Sequence, residues 1–222
     1  MRKLILATRG SELAIAQAEE VKRKLLSTVP ELEIEFLEVV TSGDAGRKSQ
    51  LSSIDGNGLF IREIEEKLIS GEADIAVHSA ENLHFEIAEG LIIGGALSVA
   101  DLEKIELDLS RLSVSKCDAK DFIPAACQGM LAVECRKADE DIRKLLADIT
   151  DYESMLRFEM ERYLLGRLKS DCSVPMGIHA DIDNCDVELS VMCCGKYVHK
   201  NCVITEWRRT ADEIVEELCL DK

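Results

Sequence analysis

Through its first hundred residues the chain alternates segments of strand period and helix period, and this order constrains the fold more tightly than any other feature. Lys3 to Thr8 is a short apolar run of strand length. Ser11 then stands where it can cap a helix, with Glu12 in the first turn, where the helix dipole favours a carboxylate. Leu13, Ile15, Ala18, Val21 and Leu25 predict the apolar face of that helix. Glu31 to Val39 alternates as a half-buried strand does, with Leu32, Ile34 and Phe36 on one side and Glu31, Glu33 and Glu35 on the other. Phe60, Ile64 and Leu68 lie four apart on a second helix that Gly71 ends. Asp74 to His78 and Leu91 to Leu97 are further strands. Strand, helix, strand, helix, strand is an α/β order with at least partly parallel pairing.

Two stretches interrupt this order. Thr41 to Gly58 is a polar loop rich in Gly and Ser, long enough to point to function or disorder. Ser98 to Lys120 is charged, with a weak helical pattern through Leu102, Ile105, Leu109 and Leu112; it predicts a connector with one short helix or hairpin, too short to bury a core. Met130 to Cys135 is again a strand, and Ile142, Leu145, Leu146 and Ile149 share one helix face. Thr150 and Glu153 make a capping-box pattern that opens a longer helix to about Leu168. After Pro175, Ile178, Ala180 and Ile182 alternate, as do Val187, Leu189 and Val191, with Asp183-Asn184 as turn residues between them. A third strand is expected near Cys202 to Ile204, then a second capping box at Thr210 and Glu213 before Ile214, Val215 and Leu218. The expected architecture is an α/β domain over 1–149, in which 98–121 is a connector, followed by a small α+β domain over 150–222 built on a three-stranded antiparallel sheet.

The formal net charge of -16 disfavours nucleic acid and anionic membrane surfaces as partners. No apolar run approaches the roughly 20 residues of a membrane-spanning helix. The opening MRKLILATRGS has too short an apolar stretch for a signal peptide, so the cytoplasm is the expected location. None of the nine cysteines has C-x-x-C spacing and the four histidines do not cluster with them, so no metal site is expected. Small buried side chains in a reducing cell account for most of these cysteines. Cys172 differs, because it sits in a loop among Ser170, Asp171 and Ser173, where an exposed thiol can react as the thiolate. On these residues alone an ordinary cysteine is the simpler reading.

The stretches ATRGSELA (Ala7 to Ala14), GEADIAVHS (Gly71 to Ser79) and DCSVPMG around Cys172 change that reading. With PAACQGMLAVECR (Pro124 to Arg136) and ESMLRFEMER (Glu153 to Arg162), they follow in order the motifs of the porphobilinogen deaminase (hydroxymethylbilane synthase) family, which the chain resembles over most of 1–97 and 121–222. The resemblance implies a domain like those of periplasmic binding proteins, then a small α+β domain whose cysteine holds a dipyrromethane cofactor through a thioether. Cys172 stands at that cysteine's position, and Arg9 and Ser11 stand at further cofactor-binding positions. The family activity is a transferase of tetrapyrrole (porphyrin) biosynthesis, joining four porphobilinogens head to tail with release of ammonia.

The chain departs from the family pattern where the chemistry would lie. The motif His-Ser-x-Lys-Asp-x-Pro is here HSAENLH, with Asn82 at the position of the catalytic aspartate and Glu81 in place of lysine. An amide supplies no negative charge to a cationic intermediate and takes no proton. Asn57 and Ser42 replace a lysine and an arginine, Cys127 stands where Gly is usual, and the short connector occupies the place of the family's domain 2. Asp44 and Gln128 match family positions that structural roles explain as well. The reading that follows is a pseudoenzyme: a binding or regulatory relative that holds a pyrrole or tetrapyrrole precursor and carries no cofactor. Two alternatives stand beside it. One is an active transferase with dipyrromethane on Cys172. The other is a small-anion or protein-interaction module in which a homodimer supplies the second wall of the site.

Overall fold

The computed structural model describes residues 3–41, 61–84, 86–98, 117–168 and 175–219. These group into two units, Met1–Leu97 with Met130–Met155, and Ser98–Gly129 with Leu156–Lys222.

In the first unit, β1 (Leu4–Arg9), β2 (Ile34–Val39), β3 (Ile75–Ser79), β4 (Leu91–Ser98) and β5 (Met130–Arg136) form one sheet in the order β2-β1-β3-β5-β4. β1 runs parallel to β2 and to β3, and β5 returns antiparallel to β3. The interior strands are nearly continuous apolar runs because both of their faces are covered. β2 lies at the sheet edge and keeps the alternation of a half-exposed strand. Helix α1 (Glu12–Thr28) buries Ala18, Val21 and Leu25 against one face, beside Ile142, Leu146 and Ile149 of α3 (Glu140–Ile149). Helix α2 (Arg62–Ser70) buries Ile64 and Leu68 against the other face and ends at Gly71 in the left-handed conformation, φ 79°. The result is a helix–sheet–helix sandwich with its cores on both faces of the sheet. Leu13, expected on the buried face of α1, is 60% exposed. The stripe that packs runs through Ala18, Val21 and Leu25, and Leu13 in the first turn points away from it.

In the second unit, β6 (Met176–Asp183), β7 (Asp186–Cys193) and β8 (Lys196–Val203) form an antiparallel sheet in that order. Ile178, Ala180, Leu189 and Val191 are its buried residues, and they pack with Met160 and Leu164 of α4 (Tyr152–Leu168) and Trp207, Ile214 and Val215 of α5 (Trp207–Cys219). The fold class expected from the sequence is the one observed: a mixed α/β sheet and a three-stranded antiparallel sheet.

Local features differ from expectation for identifiable reasons. Helix α4 is capped by Asp151, whose carboxylate accepts from the Ser154 amide at 2.9 Å, and not by Thr150. The Thr150 hydroxyl instead donates to the Leu146 carbonyl at 2.6 Å, at the end of α3. Thr210 lies buried inside α5, because anchoring Trp207 in the core starts that helix three residues earlier. β8 begins at Lys196; its polar first half carries no strand signal in the sequence because only Val198 faces the core. The β6–β7 turn is Asn184-Cys185, with Asn184 at φ 57°, while Asp183 pairs with Asp186. The expected features in 42–60 and most of the 98–121 connector lie outside the described residues.

Candidate functional site

Parallel pairing brings three strand ends to one rim. β1 and β2 are in register as far as Arg9 opposite Val39, and β3 runs alongside β1 in the same direction. The rim therefore carries Arg9 at the end of β1, Ser11 at the start of α1, Thr41 after β2, Ser79 at the end of β3 and Ala80 to Asn82 after it. The carboxyl ends of parallel strands are where α/β sheets hold their ligands. Among the residues singled out from the sequence, Arg9, Ser11 and Asn82 are brought together at this rim. Cys172, Ser42, Asp44 and Asn57 lie outside the described residues.

Each rim side chain has a local cause. The Ser11 hydroxyl accepts from the Ala14 amide at 3.3 Å, so it serves as the helix cap. Ser79 donates to the Gln17 side chain at 3.0 Å, tying the end of β3 to α1. Asn82 closes the single 3-10 turn Ala80–Asn82 and is exposed; buried Leu83 anchors the turn from below. Arg9 is half-buried. The same rim carries Glu12 in the first turn of α1, Glu81 beside Asn82, and Glu38, whose carboxylate lies against Gly10. Among its described residues the rim is thus more acidic than basic, a balance that disfavours an anionic ligand.

Beneath the rim lies a pair that the sequence does not announce. His78, expected at the end of its strand, lies within β3 and is 7% exposed, and its Nε2 is 3.1 Å from Oε2 of Glu134 on β5. Glu134 is fully buried, and its Oε1 has no hydrogen-bond partner among the described residues. The available signal was a single carboxylate inside the apolar run of β5.

Glu65 on α2 accepts from the Ala88 amide at 3.2 Å. Burial pushes its carboxyl above the ordinary value and the Glu134 charge adds to this; the Ala88 N–H and the two histidines, His78 and His84, pull the other way. A raised carboxyl favours the protonated form in the folded state. Its stabilising proton is fully held below the unfolded value near 4.5 and is lost as pH rises through the folded value. Glu65→Gln stays neutral at every pH and still accepts from Ala88. Its urea midpoint is expected to exceed that of the unmodified chain near neutral pH and to converge with it well below pH 4.5. Equal midpoints at both pH values would remove this account. A cavity of about 670 Å³ lies beside Glu65, and Glu66, Glu86 and Glu89 outnumber Arg62 and His84 in its lining.

In the second unit, Glu161 of α4 is buried and accepts from the Cys127 amide and, at 2.9 Å, from the Ala180 amide. It thereby ties the Pro124 to Gly129 turn to β6. Cys127 is buried with φ 61°, a conformation that suits glycine better. The Gln128 side chain accepts from the Ala125 amide at 3.1 Å. Both residues therefore have structural employment. Glu161 was legible as a carboxylate on the buried stripe of Ser154, Phe158, Leu164 and Leu168.

Among the described residues, no group of three or more His, Cys, Asp or Glu is placed to hold a metal ion, and no helix is long and apolar enough to cross a membrane.

Residues 4–116 and 93–144 match the family model described as "Porphobilinogen deaminase, dipyromethane cofactor binding domain". The chain is 31% identical to the porphobilinogen deaminase of Nitratidesulfovibrio vulgaris, with 81% of this chain and 78% of the relative covered. It is likewise 31% identical to that of Syntrophomonas wolfei, with 82% of each covered. The porphobilinogen deaminase of Staphylococcus carnosus is 27% identical, with 83% of this chain and 82% of the relative covered.

Proposed function

The chain belongs to the porphobilinogen deaminase family, and from that premise we propose that it is a cytoplasmic binding or regulatory protein of tetrapyrrole biosynthesis that has lost the condensing chemistry. The observation that carries the proposal is Asn82, exposed at the strand-end rim where the resemblance expects a carboxylate. A cationic intermediate there would meet a neutral amide dipole in place of a full negative charge, and electrostatic stabilisation is commonly the largest catalytic contribution. The proposed ligand is a pyrrole or tetrapyrrole precursor. The proposed domains are 1–149, with 98–121 as a connector in place of domain 2, and 150–222. Alignment with the first relative spans 248 positions, more than the 222 residues of this chain, which supports the loss of an internal stretch. A second copy of the chain is the proposed second wall of the site.

A dipyrromethane carries several carboxylates, and the described rim carries Arg9 together with the acidic residues Glu12, Glu38 and Glu81. That is a poor fit for a polyanionic cofactor, so no cofactor is proposed in the resting protein. The active-transferase reading keeps one observation in its favour, the DCSVPMG stretch with Cys172 as the thioether position.

Intact-mass measurement after expression with porphobilinogen supplied separates the two readings. The expected result is the unmodified polypeptide mass, with no turnover of porphobilinogen by the chain or by Asn82→Asp. A dipyrromethane adduct that Cys172→Ser abolishes, or turnover by the unmodified chain, would overturn the proposal.

A further inference from the structure

We propose that Cys193 and Cys194 form a chelating site for a soft, thiophilic metal ion, with copper(I) the best match and the Met176 thioether as the third sulfur. Cys193 ends β7, and the chain reverses through Cys194 and Gly195 into β8. Successive side chains of a strand point to opposite faces, which would hold adjacent thiols apart. Here Cys194 (φ 54°) and Gly195 (φ 79°) both take the left-handed conformation of a tight hairpin turn. That turn breaks the alternation, and the two Sγ atoms lie 3.8 Å apart. Cys194 is exposed and Cys193 half-buried, so the pair is open to solvent.

The separation suits one metal ion. Two sulfurs 3.8 Å apart, each about 2.3 Å from a shared metal, subtend an angle of about 110°. That angle belongs to three- or four-coordinate geometry and calls for at least one more ligand. Met176 supplies a candidate, since it is half-buried and directly opposite Cys193 in the β6–β7 register. Thiolate and thioether ligands together select copper(I) over hard cations. Two thiols release two protons as copper(I) binds, which leaves a complex of net charge −1. Lys196, opposite Cys193 in the β7–β8 register, places a cationic residue beside that charge. The expectation of no metal site rested on C-x-x-C spacing; adjacent cysteines across a left-handed turn reach the same separation by another route. The site does not depend on the fate of Asn82.

Anaerobic titration of the reduced protein with copper(I), in competition with bicinchoninate, tests the proposal. The chain is expected to withdraw one equivalent that Cys194→Gly leaves with the chelator. Glycine suits the φ of 54°, so this variant removes the thiol without straining the turn, and its circular dichroism should be unchanged. Cys193→Ser should lose the same equivalent. Met176→Leu is expected to keep the stoichiometry and weaken binding by roughly tenfold or more. Unchanged copper uptake by Cys194→Gly would overturn the site. Preferential retention of zinc when both metals are offered would overturn the choice of a soft metal.

Discussion

Replacing His78 by alanine is expected to lower the stability of the fold by about 3–5 kcal/mol, the range for breaking a buried ionisable pair by removing one partner. Glu134 is fully buried on an interior strand, and Oε1 already has no hydrogen-bond partner among the described residues. Loss of the imidazole removes the contact to Oε2 at 3.1 Å and leaves a carboxylate in a low-dielectric core. Urea unfolding of the variant measures the effect. A companion variant keeps the prediction sharp: replacing both His78 and Glu134 by leucine restores an apolar interior and should recover most of the lost stability. If the double replacement is as unstable as His78→Ala, packing and not the buried polar pair holds this region of the sheet.

The second large effect concerns Gly177→Ala. A Cβ at Gly177 would lie 2.5 Å from the Ile123 carbonyl oxygen and 3.0 Å from the Ile123 Cβ. The obstacle is backbone, and it cannot swing aside, because the Ile178 amide donates to the Pro124 carbonyl at 2.8 Å and holds the two segments together. Overpacking of this kind costs about 3 kcal/mol. For a chain of this size that is a fall in thermal midpoint of about 6–12 °C. Ile123→Ala in the same chain is expected to give no rescue, since it leaves the carbonyl in place. Rescue would show that the Ile123 side chain, and not the main chain, is what Gly177 accommodates. Gly177 closes the DCSVPMG stretch, so its retention has a packing cause independent of any cofactor.

Periodicity made the order of strands and helices along the chain legible. The runs through β1, β3 and β5 are apolar because they are buried on both faces, and burial leaves the same mark on any sequence that folds this way. Short cap motifs were less secure. Thr150 and Glu153 have the right spacing, yet Asp151 takes the cap because the Thr150 hydroxyl already serves the preceding helix. The rim was only partly legible. Arg9 and Asn82 lie 73 positions apart in the chain, and only the parallel direction of β1 and β3 sets them at one edge. The His78–Glu134 pair depends on antiparallel register between strands 56 residues apart, which no local pattern encodes. The Cys193–Cys194 geometry depends on a left-handed turn at a residue that is not glycine, and composition does not announce one.

The place where β4 and β5 meet the rest of the chain has a consequence for how such a protein can change over time. The Lys137 amide donates to the Gly90 carbonyl at 2.8 Å, so the end of β5 lies beside the start of β4. The two strands are sheet neighbours running in opposite directions, which puts Leu97 and Met130 at the same end. Whatever chain joins them leaves and re-enters the sheet at adjoining points. The entropy of closing such an excursion grows only logarithmically with its length, by about 0.6 kcal/mol per doubling. An insertion of domain size and a linker of some thirty residues thus load the sheet almost equally. Closure entropy alone therefore places only a small penalty on the length of the chain that joins β4 to β5 at this seam.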